Sequence, residues 1–270
     1  MKIIGEKING TRKSVAKAIA ERDTDYIKDL ALKQTEAGVE WLDVNAGTHP
    51  SQEPDDLIWL INTVQSVVDT PLCLDSANPK ALSIAVRAVD KTPMINSISG
   101  EPERLQGILP IVAENGCEVI ALAMDGKKIP ETSEKRLAVI HKVMQATREA
   151  GIPDEKIYVD PLTMTIGTNI QSGLIFLETL RDVQTAYSQV HFAAGLSNIS
   201  FGLPARSYIN RAFLILALQA GLDCAIIDPL DQELKAALLA AELVLGRDRH
   251  CLNYVRAYRA GVFNTFCEPG

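Results

Sequence analysis

The 270-residue chain contains few aromatic residues, few histidines and no cluster of basic residues. Aromatic side chains make up 5% of the sequence, and 27 lysines and arginines are outnumbered by 34 aspartates and glutamates, for a net charge of -7. Nucleic-acid phosphates are bound by clustered basic side chains, so the absence of such a cluster argues against a nucleic-acid partner. Small molecules and other proteins remain as partners to consider.

The five cysteines do not have the spacing of a metal site or of a disulfide framework. Cys73, Cys117, Cys224, Cys251 and Cys267 include no Cys-x-x-Cys pair, which argues against a structural metal site. Their number is odd and the chain is large, so we expect reduced, buried thiols rather than disulfide bonds. No metal is predicted.

No apolar stretch is long enough to suggest a membrane anchor. The most apolar segment, Phe213–Ile227, is interrupted by Gln219 and Asp223, whereas a transmembrane helix needs about 20 mostly apolar residues. The apolar run within residues 1–10 is too short for a signal peptide. We therefore predict a cytoplasmic protein without a membrane partner.

Short, β-rich apolar runs alternate along the chain with longer segments of helical periodicity. The predicted strands are Lys2–Gly5, Trp41–Asn45, Pro71–Asp75, Pro93–Asn96, Val119–Ala123, Ile157–Asp160, Phe192–Leu196 and Cys224–Asp228. The predicted helices are Asp25–Ala37, Asp55–Val68, Pro79–Val89, Glu101–Glu114, Glu134–Ala150, Leu174–Tyr187, Ser207–Ala220 and Asp231–Leu245. Eight such βα units predict a (β/α)8 TIM barrel in a single domain. We place the barrel at residues 1–261 and an irregular tail at 262–270.

An open, doubly wound sheet is the alternative α/β fold, because periodicity alone does not show that the sheet closes. The phosphate-binding motifs common in such sheets are absent. No G-x-G-x-x-G follows the first strand, and no G-x-x-x-x-G-K-[ST] occurs anywhere in the sequence. Their absence favours the barrel.

Polar residues, mostly acids and amides, follow most of the predicted strands. They are Glu6, Asp43, Asn45, Asp75, Ser76, Asn96, Ser97, Asp160, Ser197, Asn198 and Asp228. In a barrel the carboxyl ends of the strands open on one face, so these residues are expected to converge there. Ser76, Ser97 and Asp228 fit the simpler interpretation of a helix N-cap. Five others directly end an apolar run and should be partly buried, where each needs a partner from a neighbour or a ligand. These five are Asp43, Asp75, Asn96, Asp160 and Asn198, and we interpret them as a binding site.

The side chains of this ring restrict the chemistry it can support. None of the four histidines belongs to it, and Ser197 and Ser200 lack an evident base, which argues against a nucleophilic triad. A glycosidase would be expected to place more aromatic platforms near the strand ends than Trp41 and Phe201. Carboxylates combined with carboxamides suit a flat nitrogen heterocycle, because Asp accepts two N–H bonds from an aminopyrimidine edge and Asn both donates and accepts. A pterin is such a ligand.

Seven short motifs, in order and at compatible spacing, resemble the pterin-binding methyltransferase family. They are Ile4-Gly-Glu-Lys-Ile-Asn9, Leu42-Asp-Val-Asn-Ala-Gly47, Leu74-Asp-Ser76, Met94-Ile-Asn-Ser97, Tyr158-Val-Asp-Pro161, Gly195-Leu-Ser-Asn198 and Arg206…Asn210-Arg-Ala-Phe213. The chain is most similar to the methyltetrahydrofolate:corrinoid protein methyltransferases in that family. It more distantly resembles the folate domain of cobalamin-dependent methionine synthase.

The resemblance implies a barrel enzyme, usually a homodimer, that binds methyltetrahydrofolate at the carboxyl-end mouth. Its N5 methyl group would be exchanged with the cobalt of cobalamin carried by a separate corrinoid protein. By resemblance, Asp75, Asn96 and Asp160 hold the pyrimidine edge of the pterin, and Asn198 lies near N5 as the catalytic residue. The remaining pocket residues would be Glu6, Asp43, Asn45, Gly195, Ser197 and Arg206. Phe201 departs from the family, because a close relative has a glutamine near the pterin at this position.

A tertiary amine releases its methyl group poorly unless the nitrogen gains a proton or a strong hydrogen bond as the bond breaks. Asn198 does not titrate in this range, so we expect it to strengthen a hydrogen bond to N5 in the transition state while the proton arrives through water. The residues leave the direction of transfer open. The enzyme could serve acetyl synthesis, O-demethylation, or the use of methylamines or betaine.

Two other functions are considered. A dihydropteroate synthase-like enzyme would need a basic anion site, but the eighth strand ends Ile227-Asp-Pro-Leu230 with no Ser-x-Arg or lysine following. The other is a non-catalytic pterin-binding subunit of a corrinoid complex, and the presence of Asn198 argues against it. Asp248-Arg-His250-Cys-Leu-Asn253 approaches the corrinoid motif D-x-H-x-x-G, but asparagine replaces its glycine, so we interpret His250 as a surface or helix-end residue.

Overall fold

The computed structural model describes residues 1–126 and 128–263, in which eight parallel strands form a closed barrel. Each strand pairs with the next one in the sequence, and the last pairs with the first. The strands are β1 Lys2–Asn9, β2 Trp41–Asn45, β3 Leu72–Asp75, β4 Met94–Ser99, β5 Glu118–Leu122, β6 Ile157–Asp160, β7 His191–Gly195 and β8 Cys224–Ile227. The predicted (β/α)8 fold is confirmed, and the open sheet is excluded.

Helices pack around the outside of the barrel. They are α1 Lys13–Glu21, α2 Thr24–Glu36, α3 Glu53–Gln65, α4 Pro79–Ala85, α5 Pro102–Asn115, α6 Ser133–Glu149, α7 Ser172–Ala186, α8 Arg206–Ala220, α9 Gln232–Val244 and α10 Leu252–Arg259. The sequence did not predict α1, which precedes α2 in the first connection, or α10. Within the described ranges, no helix is long and apolar enough to cross a membrane. The predicted tail 262–270 lies outside the described residues, apart from positions 262 and 263.

The ends of several helices follow directly from local sequence. Asp23 precedes α2 and accepts a hydrogen bond from the Tyr26 N–H at 3.1 Å. Asp231 does the same before α9, accepting from the Leu234 N–H at 2.9 Å. Each carboxylate satisfies a first-turn N–H that has no partner within the helix. At the other end of a helix, Gly116 terminates α5 at a φ of 60°, in the left-handed region that glycine adopts readily.

The interior of the barrel is filled by one buried residue from each strand. These residues are Ile4, Trp41, Cys73, Met94, Ile120, Tyr158, Ala193 and Cys224. Most of the other buried apolar side chains form a separate, larger core that includes the outward-facing strand residues and the helices. Because side chains alternate between the two faces of a strand, the residue two positions further along each strand also points into the barrel, closer to its carboxyl end. The inner layer therefore forms the floor of the mouth.

Two strands run further than the sequence predicted. β1 continues to Asn9 and β4 to Ser99, each past an irregularity where it has one residue more than its neighbour. Such an insertion bends a strand and is common at the rim of a barrel. Glu6 and Asn96 therefore lie within strands rather than at the ends of strands.

Candidate active site

The inward positions just above the inner layer are mostly polar. They are Glu6, Asp43, Asp75, Asn96, Leu122, Asp160, Gly195 and Ile226, one from each strand. Because all eight strands are parallel, these positions lie at the carboxyl end of the barrel, where the active sites of this fold are built. Asp43 is 2% exposed and Asp160 is 9% exposed. The mouth is thus lined by acids and amides that are largely withdrawn from water.

Direct hydrogen bonds join the polar residues of three neighbouring strands. Asn45 on β2 donates from Nδ2 to Asp75 Oδ2 on β3 at 2.9 Å. Asn96 on β4 donates from Nδ2 to Asp43 Oδ1 on β2 at 3.4 Å. The buried Oδ1 atom of Asn45 accepts no hydrogen bond from a described residue. In this group, two carboxylates already accept hydrogen bonds from neighbouring amides. The Oδ1 atom of Asn45 is a further acceptor that a ligand could use.

Asp43 and Asp75 repel each other when both carboxylates are charged. Burial raises the pKa of Asp43 well above its usual range, and the negative charge of Asp75 raises it further. Burial also raises the pKa of Asp75, although the hydrogen bond from Asn45 and the charge of Arg104 oppose the increase. A ligand that brings N–H donors to these carboxylates would lower the cost of ionising them.

Asp160 lies on the opposite side of the mouth, at the end of β6. Burial raises its pKa to about 6, while the N–H of Leu162, which donates to Oδ1 at 2.7 Å, and the charge of Arg136 act in the other direction. Asp160 makes no direct hydrogen bond to the β2–β4 group among the described residues. It faces the same mouth from the far wall, where it could hold a different part of a ligand.

Asn198 belongs to a 3-10 turn, Leu196–Ser200, that follows β7 directly. Arg206 fixes this turn by donating from Nη2 to the Ser197 carbonyl at 2.6 Å and from Nε to Ser200 Oγ at 2.9 Å. A Cβ added to Gly195 would lie 3.3 Å from Asn198 Nδ2, so glycine at this position leaves room for the amide. Ser197 and Arg206 thus shape the turn, and their guanidinium–carbonyl bond was not foreseen.

Two site residues, Asn198 on this turn and Phe201 at its end, are exposed. Asn198 was expected to be partly buried but is exposed, because it stands on the turn after the strand and not on the strand itself. Phe201 ends the same turn with 68% of its surface exposed. Both side chains are accessible from the solvent side of the mouth.

A further part of the mouth, beside β1, contains ion pairs that the sequence did not reveal. Arg12 donates to Glu6 Oε1 at 2.6 Å, and Lys7 pairs with Asp228 at 2.8 Å. Burial raises the pKa of Glu6, although the charge of Arg12 partly offsets this effect. A cavity of about 310 Å³ lies here, and its walls include Glu6, Arg12, Ser197, Arg206 and Asp228.

None of the three residues predicted as helix N-caps occupies such a position. The N-cap residues of α4, α5 and α9 are Asn78, Glu101 and Asp231. Ser76 instead donates to a carboxylate of Glu53, Ser97 is a buried residue of β4, and Asp228 bonds to Lys7. The prediction was wrong because loop residues separate each strand from its helix.

Comparison with known proteins identifies the family. A model of pterin binding enzymes matches residues 5–228. The chain belongs to this family. It is 38% identical over 263 residues to the methylcorrinoid:tetrahydrofolate methyltransferase of Eubacterium limosum, and the match covers 97% of each chain. It is also 29% identical to the methionine synthase of Mycobacterium tuberculosis over 83% of this chain but only 20% of that larger protein.

Solved structures of pterin binding enzymes share the fold. A dihydropteroate synthase of Yersinia pestis superimposes with a TM-score of 0.69, at 16% sequence identity, over 91% of this chain and 93% of its own. The dihydropteroate synthase of Xanthomonas albilineans, bound to 7,8-dihydropteroate, gives a TM-score of 0.67 at 19% identity, covering 90% and 92%. At such identities the likeness concerns the fold alone.

Proposed function

We propose that this chain transfers a methyl group between the cobalt of a corrinoid carried by a separate protein and N5 of tetrahydrofolate. The observation that carries the proposal is the ring of inward acids and amides at the barrel mouth. The similarity to the Eubacterium limosum methyltransferase, which extends over 97% of both chains, supports the same reaction. Folate and corrinoid are both substrates in this scheme.

The pyrimidine edge of a pterin presents adjacent N–H donors and ring acceptors, and the mouth has groups complementary to both. Asp75 and Asp160 offer carboxylate oxygens from opposite walls, while Asn96 offers a donor and an acceptor. In this proposal these three residues bind the ring edge. Glu6, Asp43 and Asn45 support them through the contacts and charges described above.

Asn198 is proposed to act at N5. Its carboxamide can donate to the N5 lone pair or accept from an N5–H, so one side chain can serve both protonation states. When a methyl group moves to the folate, the N5 lone pair forms the new bond to carbon while the cobalt–carbon electron pair stays on cobalt. The N5 proton then leaves to water. The reverse direction requires a proton to reach N5 as the nitrogen–methyl bond breaks.

We propose that the physiological direction is from methylcorrinoid to tetrahydrofolate, as in the name of the Eubacterium limosum relative. The corrinoid would approach the open mouth on its partner protein. The D-x-H-x-x-G-like segment does not suit a corrinoid site. Asp248 accepts hydrogen bonds from the Asn253 and Tyr254 N–H groups at 3.0 and 2.9 Å, and His250 is exposed.

We also propose that the chain is a homodimer that associates through helices α8 and α9. A groove of about 370 Å³ between these helices is lined by Ile215, Ala237, Ala241, Val244 and Leu245, among others. Val244 is 86% exposed and Leu245 is 36% exposed. Exposed apolar surface of this kind is typical of protein–protein interfaces.

The test is methyl transfer from a methylated corrinoid protein to tetrahydrofolate, with wild-type protein and an Asn198→Ala variant. Loss of a preorganised contact of this kind costs about 2.7–4 kcal/mol, so the rate at saturating substrates should fall roughly 100- to 1000-fold. Asn62→Ala, on the exposed face of α3, serves as the matched control. An unchanged rate in Asn198→Ala would remove this residue from the mechanism, and absence of transfer by the wild type would reject the function.

A dihydropteroate synthase activity shares the fold but has less support here. The loop after β8 begins Asp228-Pro-Leu230, and Asp228 is paired with Lys7. The segment 228–231 between β8 and α9 thus contributes two carboxylates and no basic side chain. A non-catalytic folate-binding subunit would bind tetrahydrofolate without turnover, and the same assay distinguishes it.

A further inference from the structure

A second cleft, of about 830 Å³, opens beside the mouth between the segments that follow β5 and β6. Its walls include Asp125, residues 128–131, the first turns of α6 and α7, Met164, Thr168 and Asn169. Because both segments follow the carboxyl ends of strands, the cleft opens on the same face of the barrel as the proposed folate site. The methyl-transfer mechanism makes no use of it.

Arg136 connects this cleft with the mouth. Its side chain is 2% exposed and donates to the carbonyls of Pro130, Pro161 and Leu162 at 2.6–3.0 Å. Arg136 also acts on the carboxylate of Asp160, since its positive charge opposes the increase in the pKa of that group. One buried guanidinium therefore forms part of the cleft wall and also acts on the wall of the folate site.

One nitrogen of Arg136 remains available to a ligand in the cleft. Nε and Nη1 donate to backbone carbonyls, whereas Nη2 makes no hydrogen bond to any described residue and is not fully buried. The side chain lines the cleft, so an anion there could accept hydrogen bonds from Nη2.

The charges around the cleft favour the same kind of ligand. Lys128 and Lys135 are exposed on its walls, and neither forms an ion pair with a described carboxylate. Of the two acids in the wall, Asp125 is paired with Lys142 at 3.1 Å, which leaves Glu131. In a chain with a net charge of -7, this is a locally positive cleft. The first-turn N–H groups of α6 and α7 add to its preference for anions.

The distance from the folate site suits a substrate that extends from one to the other. Met164 lines the cleft and follows Asp160 by four residues, so their Cα atoms are at most about 15 Å apart. In tetrahydrofolate an aminobenzoyl group separates the pterin ring from a glutamate, to which further γ-linked glutamates can be attached. A pterin held by Asp160 could thus direct an acidic tail toward Arg136 and the two lysines.

We propose that this cleft binds the oligoglutamyl tail of the folate substrate, with Lys128, Lys135 and Arg136 as the anion-binding residues. The inference rests on the proposed function, because it takes a folate as the ligand of the mouth. It assigns to the cleft a preference for polyglutamylated over monoglutamylated tetrahydrofolate.

The experiment compares the dissociation constants of the protein for tetrahydrofolate monoglutamate and triglutamate. An exposed ion pair contributes roughly two- to fivefold, so two lysines should give the triglutamate an advantage of about tenfold. A Lys128→Glu/Lys135→Glu variant should lose this advantage while its affinity for the monoglutamate changes much less. High salt should reduce the advantage in the wild type, because exposed ion pairs are screened.

The matched control is Lys17→Glu/Lys33→Glu, which makes the same charge change on α1 and α2, in the opposite sector of the barrel. This control should keep the triglutamate advantage. Equal affinity of the wild type for both folates would overturn the inference and leave the proposed function intact. Failure of both folates to bind would reject the proposed function and the inference with it. An advantage that persists in the Lys128→Glu/Lys135→Glu variant would also overturn the inference. The inference is also overturned if the only effect of the Lys128→Glu/Lys135→Glu substitutions is weaker binding of the corrinoid protein, to the same extent with either folate.

Discussion

Replacing Asp160 with asparagine should separate the contribution of this residue to stability from its contribution to binding. Burial raises the pKa of Asp160 to about 6, from 3.8 for an unperturbed aspartate. A difference of roughly 2 pKa units between folded and unfolded states corresponds to about 3 kcal/mol. This is the approximate cost of keeping the carboxylate charged in the ligand-free mouth.

The direction of the pH dependence of stability follows from the direction in which the pKa of Asp160 shifts on folding. Because the pKa of Asp160 is raised on folding, the folded protein holds a proton that the unfolded chain releases between about pH 4 and 6. The stabilising contribution of the protonated group is complete below about pH 4 and is lost as the pH rises through 6. Asparagine does not titrate, and its Oδ1 can still accept the Leu162 N–H. Asp160→Asn should therefore gain stability relative to the wild type as the pH increases.

The measurement is denaturant unfolding of both proteins over a pH series. The free energy of unfolding of Asp160→Asn minus that of the wild type should increase by up to about 3 kcal/mol between pH 4 and 7 and then level off. Asp69→Asn, at an exposed loop position, should show no such increase. A difference that stays flat across the series would refute the assigned cause.

The same variant should bind tetrahydrofolate less well, although it is more stable at neutral pH. A hydrogen bond to a charged group contributes roughly 1.5–3 kcal/mol, so the dissociation constant should rise by about 10- to 150-fold. Wild-type affinity should also fall as the pH drops below about 6, because Asp160 then becomes protonated. Unchanged affinity in Asp160→Asn would remove this carboxylate from the binding site.

Two further predictions concern the turn after β7 and the groove between α8 and α9. Gly195→Ala places a methyl group 3.3 Å from Asn198 Nδ2, so the amide should shift. The methyl-transfer rate should then fall while tetrahydrofolate affinity changes little. Equal losses in both would indicate a general disturbance of the mouth. Val244→Glu puts a charge on a residue that is 86% exposed in the apolar groove. Sedimentation should show a dimer for the wild type and a monomer for the variant, and a variant that remains dimeric would exclude this interface.

Much of the mouth could be predicted because its sequence pattern repeats from strand to strand. Trp41-Leu-Asp43, Cys73-Leu-Asp75, Met94-Ile-Asn96 and Tyr158-Val-Asp160 all have the order apolar, apolar, polar. The first residue belongs to the inner layer, the second points outward to the helices, and the third returns to the interior at the mouth. The alternation that defines a strand thus also fixes the direction of its last polar side chain.

The basic residues of the site could not be predicted in the same way. Arg12, Arg104 and Arg136 lie in the loops and helices that follow the strands, and nothing in the local sequence distinguishes them from surface arginines. Arg12 bonds to Glu6, which is 6 residues away, and Arg136 bonds to a carbonyl as far as 26 residues away. These contacts depend on how each helix returns to the rim of the barrel. Strand periodicity carries no information about that packing.

Several buried oxygens at the mouth have too few hydrogen-bond donors among the described residues. This favours a ligand with several N–H donors. Asp43 and Asp75 resist carrying two charges, and the pKa of Asp160 is raised across from them. The buried Oδ1 of Asn45 accepts from no described donor. A stable core would replace such groups with apolar side chains, since unpaired buried polar atoms cost about 1–3 kcal/mol each. An aminopyrimidine edge supplies donors to these acceptors without adding charge. In the proposed function, the same buried acceptors that cost the barrel stability would therefore contribute to the affinity for the heterocycle.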